Sequence, residues 1–187
     1  DRDFMPSLVQ FMDAHPKAGS AQPRLMLHPE REKINSLGNV IHFLGFGYSS
    51  YNGVTQRDEL IHDRQINYAS GAAVIIRTKA LEKVGLFDDF MFMYLEDLDL
   101  GWKLTLAGWE NWLAAKSCVY HKYEFSRGMR HYYFFERNRL WILLKNYHML
   151  TLILILPMWI LMEVGQILRA LMHKVLRDKL RAYAYFF

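Results

Sequence analysis

Fourteen consecutive residues, Met149 to Met162, carry no charge. As a helix the run would be about 21 Å long, short of the roughly 30 Å of hydrocarbon in a bilayer. Beyond it Glu163, Gln166, Arg169, His173 and Arg177 recur at steps of three and four, which draws one polar stripe along an otherwise apolar helix. Basic residues flank the segment, with Arg127, Arg130, Arg137, Arg139 and Lys145 before it and Lys174, Arg177, Lys179 and Arg181 after it. The positive-inside rule puts both flanks in the cytoplasm. An in-plane or re-entrant segment, broken at Pro157, satisfies this pattern. A crossing would need residues 149–172 to enter together, with Glu163 and Arg169 paired or snorkelling.

The rest of the 187 residues leaves room for one domain. With 52% apolar and 22% charged residues the chain is not disordered. A single cysteine, Cys118, excludes a disulfide framework and a Cys-rich zinc site. The net charge of +4 is too small to indicate a nucleic-acid partner. Asp1 opens the chain without Met and runs straight into an amphipathic segment, so a piece of a longer protein is expected.

Phe4, Leu8, Phe11 and Met12 predict a helix over 3–14 that stops before Pro16. Residues 19–27 read as a strand, 28–39 as a loop or short helix, and 40–70 as a long functional loop with weak strands. The apolar run 72–77 predicts a strand buried on both faces. A short helix over 78–84 ends at Gly85, and a second over 96–107 ends at Gly108. Two short strands, 109–114 and 117–120, lead to His121. An aromatic-rich helix follows over 129–148, then the hydrophobic tail. The alternation predicts an α/β class.

Glu96, Asp97 and Asp99 open the second helix, where the helix dipole alone stabilises acids by about 0.3–1 kcal/mol. Their placement after the bulky run Phe90–Leu95 also allows partial desolvation, which raises a carboxyl toward the range useful to a base. His121, at a strand end, suits either a structural role, a metal ligand or proton transfer. Gly71 is either a turn glycine or a point of close backbone approach to a ligand. Trp102 and Trp109 suit sugar stacking or the core. Arg137 and Arg139 suit phosphate binding or a basic surface.

Taken in order, Ser70-Gly71-Ala72-Ala73, Arg77, Val84-Gly85-Leu86-Phe87-Asp88, Glu96-Asp97-Leu98-Asp99-Leu100-Gly101-Trp102-Lys103, Ala107-Gly108-Trp109, His121 and Arg137-Asn138 closely resemble the inverting glycosyltransferases of family two, in their rhamnosyltransferase-like branch. The resemblance implies part of a GT-A fold, a mixed sheet with flanking helices, followed by C-terminal hydrophobic and amphipathic helices. Residues 1–147 would form the acceptor side and residues 148–187 a membrane-associated tail. It implies transfer of a sugar, of hexosyl or rhamnosyl type, with inversion. The donor is a nucleotide-sugar, the acceptor a glycan or lipid-linked glycan at the cytoplasmic membrane face, in polysaccharide or cell-wall synthesis. Asp97 would be the general base, with Glu96 beside it. Gly71, Ala72, Asp99, Trp102 and Arg137 would line the substrate. His121 would touch a divalent cation, Mg²⁺ or Mn²⁺, on the donor diphosphate. The Asp-x-Asp motif and nucleotide-binding half of that family are absent, so this stretch alone is expected to be inactive. Asp3 is expected to cap the first helix. A membrane-anchored scaffold without turnover is the alternative reading. A nucleotidyl- or phosphotransferase would need a Gly-rich phosphate loop or a Lys motif, and neither occurs.

Overall fold

The computed structural model describes residues 3–122 and 131–186. They divide into two compact units. The first holds residues 3–41, 47–88 and 96–122, and the second 42–46, 89–95 and 131–186. The basic residues Arg127 and Arg130, and the first residues of the expected helix 129–148, lie outside the described residues.

The first unit is an α/β layer. Helix α1 (Phe4–Ala14) buries Leu8, Phe11 and Met12 against Ala18, Ala21 and Ala114. Small side chains on the strands let the helix sit close to the sheet. Asp3 stands at the N-cap of α1, but its side chain makes no capping hydrogen bond, contrary to the expected role. Strand β1 (Ala18–Leu27) is the centre of the sheet, buried at every position but one. Its principal neighbour is β7 (Glu110–His121), which runs parallel to it. Short strands finish the sheet in antiparallel sense: β2 (Ile34–Ser36) and β6 (Ile75–Ile76) on β1, and β5 (Arg64–Ile66) on β7. A separate hairpin pairs β3 (Asn39–Ile41) with β4 (Gly47–Ser49).

Three expectations change here. The run 72–77 is not a strand buried on both faces. Only Ile75 and Ile76 pair, at an edge, and the run is half-buried or exposed throughout. The expected loop over 28–39 contains β2, because Ile34 and Leu37 bury completely despite the charges before them. The two expected strands at 109–120 are one. Their gap is an irregularity in register, where Pro23 pairs with Ala114 but Arg24 pairs with Cys118. Pro23 cannot donate to a ladder, so it sits where pairing breaks. Helix α2 (Thr78–Val84) ends at Gly85 and α3 (Glu96–Leu106) is closed by Gly108, both with positive φ, as expected.

The second unit is helical: α4 (Tyr132–Asn146), α5 (Met149–Met172) and α6 (Leu176–Ala184). Helix α5 continues through Pro157 to Met172. At 24 residues it is about 36 Å long, so length no longer argues against a crossing. Among the described residues it is the one helix long and apolar enough to cross a membrane. Its opposite side carries Glu163, which pairs with Arg139 and Lys179, not with Arg169. Glu136 completes the group, 3.0 Å from Arg139 and 2.5 Å from Lys179. Two carboxylates and two cations thus form a buried, charge-balanced quartet joining α4, α5 and α6. Tyr183 and Trp159 donate to Glu163 as well. Arg137, Arg139 and Lys179 are therefore buried and do not act as exposed basic flanks. The two basic flanks read from the sequence therefore present fewer free charges than their residue count suggests.

Candidate functional site

The acid pair opens α3. The three residues Phe92, Tyr94 and Leu95, in the stretch just before it, all have positive φ without being glycine, a costly conformation that needs outside support. Within the second unit that support is visible. Asn138 Nδ2 donates to the carbonyls of Met91, Met93 and Tyr94 at 2.9, 2.8 and 2.8 Å. Arg137 donates to the carbonyls of Phe90 and Met91 at 2.6 and 3.1 Å, and its guanidinium lies over the Phe90 ring. Arg137 is thus buried, bracing the backbone of 90–94. Arg139 is buried inside the charge quartet.

In the first unit, Asp97 is held by two backbone amides. Gly71 N donates to Oδ2 at 2.9 Å and Leu98 N to Oδ1 at 2.8 Å. Burial raises the Asp97 carboxyl above its ordinary value, and these two donors offset part of the rise. Glu96 beside it is also raised, by burial first and then by the charge of Asp97. Its Oε2 is shut off from solvent and has no hydrogen-bond partner. Against this pair lies Tyr68, almost fully buried, whose hydroxyl is pushed well above its usual range by burial and by both acids. A Cβ at Gly101 would collide with the Tyr68 side chain and come within 2.8 Å of its Cα. Glycine there, one turn after Asp97, is what lets α3 press onto the backbone of the Tyr68 segment.

The structure brings together Asp97, Glu96, Gly71 and the neighbouring Ala72, whose amide donates to Ser70 Oγ at 3.3 Å. Gly71 is exposed, and a Cβ there would meet Asp97 only at an ordinary 3.7 Å. Its amide matters more than its lack of a side chain. Asp99 is fully buried, 3.4 Å from Lys103, and sits about 200° around α3 from Asp97, so it does not share the site. Trp102 is half-buried on α3 about 140° from Asp97. His121 ends β7 with its Nδ1 2.9 Å from Asn35 Oδ1. Burial lowers its pKa, favouring the neutral ring. Among the described residues, no three His, Cys, Asp or Glu side chains gather as a cation site.

Sequence reasoning missed Tyr68, packed against the acid pair, and Gln22, buried on β1. The signal for Tyr68 was Gly101, a glycine in mid-helix four residues after the acid; Gln22 left no signal.

No family model matches the chain. It is similar to N-acetylglucosaminyl-diphospho-decaprenol L-rhamnosyltransferase of Mycobacterium tuberculosis, in strains CDC 1551 / Oshkosh and ATCC 25618 / H37Rv, with 38% identity over 61 residues in each case. The match takes in 32% of this chain and 20% of the relatives, so the chain spans about a fifth of their length. This partial likeness supports a relationship to glycosyltransferases.

Proposed function

We propose that this chain is the acceptor-side part of an inverting, nucleotide-sugar-dependent glycosyltransferase of GT-A type. The observation that carries the reading is the desolvated Asp97 carboxylate, held open by the amides of Gly71 and Leu98. The partial likeness to a rhamnosyltransferase supports it. In the proposed step an acceptor hydroxyl attacks the anomeric carbon of the donor sugar. The bond from that carbon to the diphosphate oxygen breaks, the nucleoside diphosphate leaves, and the configuration inverts. Each Asp97 oxygen accepts one backbone N–H and keeps a lone pair, and one of these takes the hydroxyl proton. Such assistance is typically worth about 10²–10⁴-fold. Glu96, beside it, would help shape the acceptor side.

The described residues do not by themselves gather a ligand set for a resident divalent cation. His121 is at most a single nitrogen donor toward a cation on the donor diphosphate. In the full-length enzyme, His121→Ala is expected to raise the Mg²⁺ or Mn²⁺ concentration for half-maximal turnover about tenfold. An unchanged requirement would leave His121 as the strand-end partner of Asn35.

The acceptor is proposed to be a lipid-linked glycan reached from the cytoplasmic membrane face, with α5 lying in the interface. The exposed side of α5 carries Leu154 (79% exposed) and Leu161 (65%), while the quartet occupies the other. Placing Arg at both positions puts two charges on the apolar face that an interfacial helix buries at the headgroup–acyl boundary. Leu154→Arg with Leu161→Arg should therefore move the protein out of the floating membrane fraction in flotation assays. Unaltered flotation would rule out this face as the membrane contact.

A further inference from the structure

The segment 68–71 is gripped from two sides within the first unit. On one side α3 receives the Gly71 amide on Asp97. On the other, a buried polar network rises from the centre of the sheet. Gln22, wholly buried on β1, accepts at Oε1 from Ser70 N at 2.8 Å and from Asn39 Nδ2 at 3.2 Å. Its Nε2 donates to Ser36 Oγ at 3.3 Å. Ser36 Oγ donates in turn to Asn39 Oδ1 at 2.9 Å, and Asn39 Nδ2 reaches the carbonyl of Tyr68 at 3.3 Å. Two donors face the Gln22 oxygen and an acceptor faces its nitrogen, so the amide has one orientation.

We propose that Gln22 is a positioning residue for Asp97. Through Ser70 it sets the place of the Gly71 amide, and through that amide the seat of the carboxylate. This rests on the reading of Asp97 as the base. Ser70 and Gly71 are consecutive, and the carbonyl and hydroxyl of Ser70 close a tight turn onto the amides of Ala73 and Ala72, both at 3.3 Å. The turn therefore moves as a body. Releasing Ser70 N lets the Gly71 N–H drift from Oδ2, and a carboxylate that loses a donor binds its proton more tightly. The other ionisable groups facing Asp97 are Glu96 on its own helix and Tyr68 on the gripped segment. From β1 and β6 the neighbours are Ser20 and Ile76, which carry no charge. The Asp99–Lys103 pair lies around the far side of α3.

The test reads the carboxylate itself and needs no substrate. In the full chain in detergent micelles, the Asp97 ¹³C carboxyl is titrated and Gly71 amide exchange is measured. Gln22→Met keeps the length and removes the amide's hydrogen bonds to Ser70, Asn39 and Ser36. It should lower the Asp97 acid constant about threefold or more and speed Gly71 exchange about tenfold. Gln22→Glu, neutral at a fully buried site, keeps an oxygen toward Ser70 N and should restore wild-type values. Ser36→Ala, a milder release of the same network, should shift both readouts in the same direction and serves if Gln22→Met does not fold. A lower unfolding midpoint with unchanged Asp97 titration and Gly71 exchange would overturn the proposal, leaving Gln22 a core residue. Full turnover in an Asp97→Asn enzyme would instead sink the base assignment while leaving this coupling measurable.

Discussion

Asp97→Asn in the full-length enzyme is expected to lower turnover at least about a hundredfold while the fold persists. The amide is nearly isosteric and can still accept one of the two backbone N–H groups, but it cannot take up the acceptor's proton. Wild-type turnover in that variant would refute the assignment. The pH dependence has a definite sign. The base works ionised, and burial raises its pKa, so activity should fall on acidification at a higher pH than an ordinary aspartate would produce. The same shift acts on stability in the opposite sense. The folded state favours the protonated carboxyl, so its contribution is present below the unfolded value and is lost as pH rises through the folded one. The acid that serves turnover therefore weakens the fold at the pH where it works.

Glu163→Ala should be among the most destabilising single changes in the second unit. It leaves Arg139 and Lys179 with Glu136 as the quartet's one remaining carboxylate, and hence one uncompensated positive charge in the interior. Breaking a buried pair this way costs about 3–5 kcal/mol, through desolvation of the charge left behind more than through the lost attraction. Combining Glu163→Gln with Lys179→Met restores neutrality and should recover most of the loss. Unfolding in detergent, followed by helical circular dichroism, measures the loss. A Glu163→Ala protein within 1 kcal/mol of wild type, on the scale of an exposed pair, would mean the quartet adds little to stability.

Helices were legible wherever their signal is local. Phe4, Leu8 and Phe11 mark one face of α1, and Gly85 and Gly108 mark ends that only a left-handed residue closes easily. The edge strands were not legible. β2, β4 and β5 are three residues each and β6 two, and their pairing is set by partners far along the chain. At the site, the acid pair stood out because it is contiguous. Gln22 did not, since its hydrogen bond to Ser70 spans 48 residues and a lone glutamine in a strand carries no periodic signal. Arg137 and Lys179 looked like solvated charges for the same reason: nothing adjacent in sequence announces the carbonyls and carboxylates that enclose them.

The interleaving of the second unit has a consequence for timing. Arg139 donates to the carbonyl of Leu44, a partner 95 residues earlier, and Asn138 grips Met91 from 47 residues away. Synthesis proceeds at about 5–20 residues per second, so the 42–46 turn waits roughly 5–20 s for its partner helix to be made. During that interval Phe43, Leu44 and Phe46 have no native surface to cover them. These side chains are then open to hydrophobic capture, and a ribosome pause between Leu44 and Arg139 would lengthen that exposure.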